Sequence, residues 1–225
     1  MDNSVFIVGG GPSLTGFNFH VLDGKDTIAI NQSLFRLPSA KFFCTMDYTW
    51  RLHLDESKER EHKQTFLKHS ARKIFVVGFA KPRLVVHGDR CIEDADHRLK
   101  YDLSDFNQVA YCNGYGGVGT TWEDFRVGSE SGYAGLQLAV LLGYTKIYLL
   151  GFDFKITPYQ THFHQDYLSR DPVEFMRRLD EYYTPYPNAI FQIRQMGIEI
   201  FSGSAISRLN HHLLYVDVEN PTCQH

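Results

Sequence analysis

The segment "THFHQDY" sets His162, His164 and Asp166 at alternate positions. On an extended backbone the three side chains face one way. Such a set either binds a divalent metal or supplies a general base with an orienting carboxylate. Imidazole titrates near neutrality, which suits a base that takes the proton of an acceptor hydroxyl. The competing reading is a solvated, aromatic-rich lid without chemistry, because a chain with 11 histidines clusters them easily by chance. The adjacent pair His211 and His212 would point apart on a strand and reads as structural.

A second chemical set starts at "FIVGGGPSL", where an apolar run stops at Gly9, Gly10 and Gly11, followed by Pro12 and Ser13. A glycine turn after a first strand lets phosphates approach the backbone, and a following helix N-terminus supplies N–H groups and a positive dipole end. Ser13 then either caps that helix or bonds a phosphate. The pattern is neither G-x-G-x-x-G nor a P-loop, and a tight strand-to-helix turn without ligand is the alternative. Asn31 in "AINQS", Asp47 in "CTMDYTW", Ser131 and Gly132 in "SESGYAG" and Asp153 in "GFDFK" all fall at predicted strand ends or helix starts. Asp47 and Asp153, as carboxylates beside a phosphate loop, could hold Mg²⁺. Asp153 equally suits a bond to neighbouring backbone.

These positions need a parallel sheet to bring them to one rim. Apolar, β-rich runs at 5–8, 27–30, 41–45, 73–77, 146–151 and 198–202 are continuous rather than alternating, as strands covered on both faces are. Helical patterns at 50–70, 131–144, 172–183 and 188–197 lie between them. The helix at 172 opens on Asp171-Pro172, a cap and first-turn pair, and the last one stops at Gly197. The expectation is an α/β, Rossmann-like fold: one domain over 1–225, a mostly parallel sheet with helices on both faces, and a small lid over about 152–190. The segments 81–127 and 152–171 break the rhythm and read as functional loops. Trp50 and Trp122 either stack on a base or sugar or simply pack.

Composition narrows the partners. The 225 residues carry a net charge of -3, which gives no global pull toward nucleic acid or anionic membrane. No apolar stretch approaches a membrane span, and "MDNSVFIVGGG" lacks the basic start of a secretory signal. Cys44, Cys91, Cys112 and Cys223 form no CxxC pair and fit reduced thiols in a cytoplasmic protein.

In order and spacing, "IVGGGPSL", "AINQS" and "SGYAGLQLAVLLGYTKIYLLGFDF" resemble two related families. These are the bacterial CMP-sialic acid-dependent sialyltransferases and the 6-hydroxymethylpterin pyrophosphokinase-like family with its phage and bacterial members. The sialyltransferase resemblance implies that Gly9, Gly10, Gly11, Ser13, Asn31, Ser131 and Gly132 hold a cytidine nucleotide, and it allows a homo-oligomer. It also implies an Arg a few residues before the Ser-Gly and Tyr residues after "DF" that steady the departing phosphate. Here Gly128 and Lys155 stand at those places, so Arg126 or Lys155 would supply the charge. The "HFH" segment and the ending "GIEIFSGSAISRL" look more like the pyrophosphokinase-like members. The loop Ser202 to Ser207 also reads as one that closes over a nucleotide.

The expected function is transfer of a sugar from a nucleotide-activated donor to an acceptor hydroxyl, with His162 or His164 as base. The alternative enzyme is a pyrophosphokinase-like transferase using ATP with Mg²⁺ on Asp47 and Asp153. A nucleotide-binding module without turnover is the third reading.

Overall fold

In the computed structural model, residues 3–47, 50, 54, 60–78, 84–86, 91–94, 100–157, 162, 163 and 171–220 are described. The apolar runs form the strands β1 (Ser4–Val8), β2 (Thr27–Ile30), β3 (Phe42–Thr45) and β4 (Arg72–Val77). After β4 come three short strands, β5 (Leu84–Val86), β6 (Cys91–Asp94) and β7 (Lys100–Asp102), which pair antiparallel in a small sheet of their own. Strand β8 (Gln108–Tyr111) returns to the main sheet, and β9 (Gly114–Tyr115) pairs with β10 (Arg126–Val127). Strands β11 (Lys146–Leu150), β12 (Glu199–Ser202) and β13 (Leu214–Tyr215) complete the set. The main sheet has eight strands in the order β13-β12-β11-β1-β2-β3-β4-β8, and every neighbouring pair in it is parallel. The fold is therefore α/β with a mostly parallel, Rossmann-like sheet.

Side-chain alternation along each strand divides the core in two. Val5, Ile7, Ile28, Ile30, Cys44 and Val76 point to one face. There they meet helix α2 (Ser131–Leu141) and helix α4 (Tyr186–Gln195). Phe6, Val8, Ala29, Phe43 and Phe75 point to the other face, where Trp50, Phe66 of α1 (Arg60–Lys68) and Phe106 pack. Trp50 is 1% exposed, with its ring 4.9 Å from Phe43 and 5.1 Å from Phe66, so it belongs to the core and stacks on no ligand. Helix α3 (Pro172–Tyr183) begins at the expected cap, where the Asp171 side chain accepts from Val173 N.

Helix α2 is apolar all round because it is covered all round. Its one polar interior residue, Gln137, is fully buried. Gln137 behaves as a backbone surrogate: Oε1 accepts from Gly119 N at 2.7 Å and Nε2 donates to Gly119 O at 2.9 Å. That clamp ties the 113–127 stretch across α2. The expected lid is split by the fold. Tyr186, Ala189, Ile190 and Ile193 of α4 are buried in the core, so the end of the expected span belongs to the sheet's packing and not to a lid.

Chain order reverses once across the sheet. Strand β1 is followed outward on one side by β2, β3, β4 and β8, and the chain then returns to β11 on its other side. In an open parallel sheet this reversal opens a crevice at the carboxyl ends of the two central strands.

Candidate functional site

A cavity of about 470 Å³ lies at that reversal, within the usual range for small-molecule sites. Its floor is the glycine segment after β1 and the Gly151–Asp153 turn after β11. Sequence glycines are explained here by contact. Gly9 N donates to Leu150 O and Gly11 N to Gly151 O, both at 2.8 Å, so β1–β11 pairing continues into the turn. A Cβ on Gly11 would stand 2.4 Å from Asp153 Oδ2 and 2.6 Å from Gly151 O.

The helix expected after the glycines is a three-residue 3₁₀ turn, Pro12–Leu14. It is too short to carry a helix dipole of consequence. Ser13 N is already spent, donating to Asp153 Oδ2 at 2.7 Å. Ser13 Oγ is enclosed with no partner among the described residues, so it does not cap.

Asp153 is 1% exposed and acts as a bracket. Its second oxygen, Oδ1, accepts from Ser204 Oγ at 2.5 Å. Ser207 Oγ donates to Phe152 O at 2.5 Å from the same loop. The Ser202–Ser207 loop therefore fastens the β11 exit from behind and does not line the cavity, contrary to the expectation that it closes over a nucleotide. Because a serine hydroxyl can turn to accept, Asp153→Asn has a solution: amide N toward Ser204, amide O toward Ser13 N. We expect Asp153→Asn to cost about 1 kcal/mol in urea unfolding, the difference between a charged and a neutral acceptor. A loss above about 3 kcal/mol would mean the negative charge itself is required.

Asn31 holds a left-handed backbone at φ 52 at the end of β2 and lines the cavity. Asparagine tolerates that conformation better than most residues, and such positions gather at ligand sites. Its Oδ1 is enclosed with no partner among the described residues. The neighbouring Ser33 does the fastening, accepting from Ile30 N at 2.8 Å and donating to Val8 O at 2.7 Å. Asn31 is thus left for the cavity.

Ser131 and Gly132 reach the cavity, but Ser131 Oγ is used within the fold, accepting from Met46 N at 3.0 Å. Gly132 has no room for a Cβ, which would lie 2.6 Å from the Phe152 ring. The residue that dominates this corner, Glu130, was not among the expected site residues. It is the N-cap of α2: its carboxylate accepts from Gly132 N, from Tyr133 N at 2.7 Å and from the Tyr186 hydroxyl at 2.5 Å. Burial pushes its carboxyl above the ordinary carboxylate range, and the bonds from Tyr186, Gly132 and Tyr133 oppose that rise only in part. Burial and the adjacent Glu130 push the Tyr186 phenol up, so it stays a donor. The signal in the sequence was an acidic residue directly before a wholly apolar helix.

His162 lines the cavity, half-buried, with its ring centroid 5.4 Å from that of Phe175 on α3. The next residue anchors it: Phe163 N donates to Gly10 O at 3.1 Å. His164 and Asp166 lie outside the described residues. Two cations border the cavity, Lys155 and, unforeseen in the sequence, Arg178 of α3. Arg178 lies against Glu174 through Nη2 at 2.7 Å. Arg126 does not reach the cavity; it sits on β10 and bonds Asp124 at 3.0 Å.

Asp47 and Asp153 both line the cavity, but they do not make a good Mg²⁺ pair. Mg²⁺ wants open, near-octahedral oxygen ligands. Asp153 is enclosed with both oxygens already accepting, and no three His, Cys, Asp or Glu side chains converge on a metal-sized site among the described residues. No helix among the described residues is long and apolar enough to cross a membrane. Cys44 and Cys112 are buried free thiols.

No protein-family model, curated protein or solved structure matches the chain.

Proposed function

We propose that this chain is a cytoplasmic transferase that binds a nucleotide-activated sugar in the reversal-point cavity and passes the sugar to an acceptor hydroxyl. One observation carries the reading: bare glycine backbone, a titratable ring and two cations share one cavity at the carboxyl edge of a parallel sheet. In the proposed step His162 takes the acceptor proton. The hydroxyl oxygen bonds to the sugar carbon as the bond from that carbon to the phosphate oxygen breaks. Negative charge gathers on the departing nucleotide, and Lys155 and Arg178 stabilise it. Asn31, which lines the cavity at the end of β2, orients the nucleotide.

The test is binding of CMP, CDP, UDP, GDP and ATP by calorimetry, each with and without Mg²⁺, followed by turnover. A nucleoside monophosphate should bind without metal. Lys155→Ala and Arg178→Ala should each weaken it about tenfold, as loss of a charge-assisted contact does, and leave the bare nucleoside unaffected. His162→Ala should lower sugar transfer about 100-fold with little effect on nucleotide binding. Binding of ATP alone, and only with Mg²⁺, would replace this reading by the pyrophosphokinase-like one. Nucleotide binding with no transfer to any acceptor, in wild type and His162→Ala alike, would leave a binding module.

A further inference from the structure

We infer that Glu130 receives a ribose hydroxyl of the bound nucleotide, so that the sugar of the nucleoside lies at the start of α2 and its phosphate lies toward Lys155 and Arg178. The inference rests on the nucleotide reading above and says which part of the nucleotide the start of α2 meets.

The free N–H groups at the start of a long helix attract anions. In α2 that place is already taken by a carboxylate of the chain itself, which accepts from Gly132 N and Tyr133 N. A phosphate arriving there would find both N–H groups taken and would have to break the cap. The site therefore refuses an anion and invites a donor. A carboxylate has about four acceptor directions, and three are filled here. Oε1 accepts from Tyr133 N and the Tyr186 hydroxyl, while among the described residues Oε2 accepts from Gly132 N alone. One acceptor direction on Oε2 remains, on a side chain that lines the cavity. Three fixed donors hold the group rigid, so a fourth donor is received without new ordering cost.

Two donors on a nucleotide could answer: a ribose hydroxyl or an exocyclic amino group of the base. The ribose is favoured because it is the part covalently next to the phosphate. The cavity sets its cations, Lys155 and Arg178, on elements other than α2 and leaves the start of α2 to Glu130. A nucleotide with its phosphate at those cations puts its sugar next in line.

The experiment is calorimetric titration at pH 8 of wild type and Glu130→Gln with AMP, GMP, CMP and UMP and with their 2′-deoxy and 3′-deoxy forms. Any ribonucleotide that binds wild type should lose about tenfold or more in affinity when one of its two hydroxyls is removed, the scale of a hydrogen bond to a charged acceptor. In Glu130→Gln the same removal should cost about threefold or less, because a neutral amide is the weaker partner. Equal binding of ribose and deoxyribose forms by wild type overturns the inference and leaves nucleotide binding standing. So does a hydroxyl preference that survives intact in Glu130→Gln, or a preference for amino-bearing over carbonyl-bearing pyrimidine that vanishes with Glu130. Binding of none of the four overturns the nucleotide reading itself. The wild-type comparison needs no variant, so a poorly folded Glu130→Gln leaves it decisive.

Discussion

Gly11→Ala should abolish nucleotide binding and cost about 3 kcal/mol of stability, the upper end of overpacking a tightly built site. The added methyl would sit 2.4 Å from Asp153 Oδ2 and 2.6 Å from Gly151 O. Neither obstacle can yield cheaply. Gly151 O accepts from Gly11 N at 2.8 Å, so retreat breaks the pairing that joins β1 to β11. Asp153 is pinned by Ser13 N at 2.7 Å and Ser204 Oγ at 2.5 Å, so rotation strands a part-buried and a buried partner. Gly16→Ala is the control. Its φ of +77 strains an alanine, but nothing lies within 4 Å of the added carbon, so it should cost about 1 kcal/mol and spare binding. Urea unfolding and CMP titration of both variants check this. Equal losses for the two would mean that backbone conformation, not close approach, selects glycine at position 11.

This contrast also shows what could be read from residues alone. The glycines announced close approach, and the strands bordering them stood out as continuous apolar runs. Helix 172–183 was legible to the residue because its cap, Asp171 before Pro172, is a local device. The helix after the glycines was misread for the opposite reason: Ser13 N bonds a carboxylate 140 positions away, and no local pattern reports that. Strand β8 hid inside 81–127 because "QVAY" at 108–111 is short and opens on a glutamine. Arg126 looked available because its partner Asp124, two residues back, reads as one more polar loop residue. Arg178 looked like one more charge on a solvated helix face, and only the placing of α3 at the rim makes it a cavity residue. The serines at 202–207 suggested a loop over a ligand, yet each found a partner in the β11 exit or in its own turn.

Glu130→Ala should cost about 3 kcal/mol. About 1 of these is the lost cap of α2, and the rest is the buried Tyr186 hydroxyl left without an acceptor. Glu130→Gln should cost less, about 1 kcal/mol, because its carbonyl still serves Tyr133 N and Tyr186 while its amide N faces Gly132 N unproductively. The pair also gives a pH signature. Burial raises the folded-state carboxyl above its ordinary value of 4.5. The folded chain therefore holds this proton more tightly than the unfolded chain does. The stability this contributes is present in full below the ordinary value and is lost as pH climbs through the raised one. The stability of wild type relative to Glu130→Gln should fall as pH rises above the ordinary value and level off once the folded carboxyl has ionised. Urea titrations of both proteins at steps of pH measure that difference directly. A difference that grows with pH would mean that the three donors outweigh burial and hold the carboxyl below the ordinary range. Glu130 would then be an anion at every working pH, capping α2 as a fixed charge.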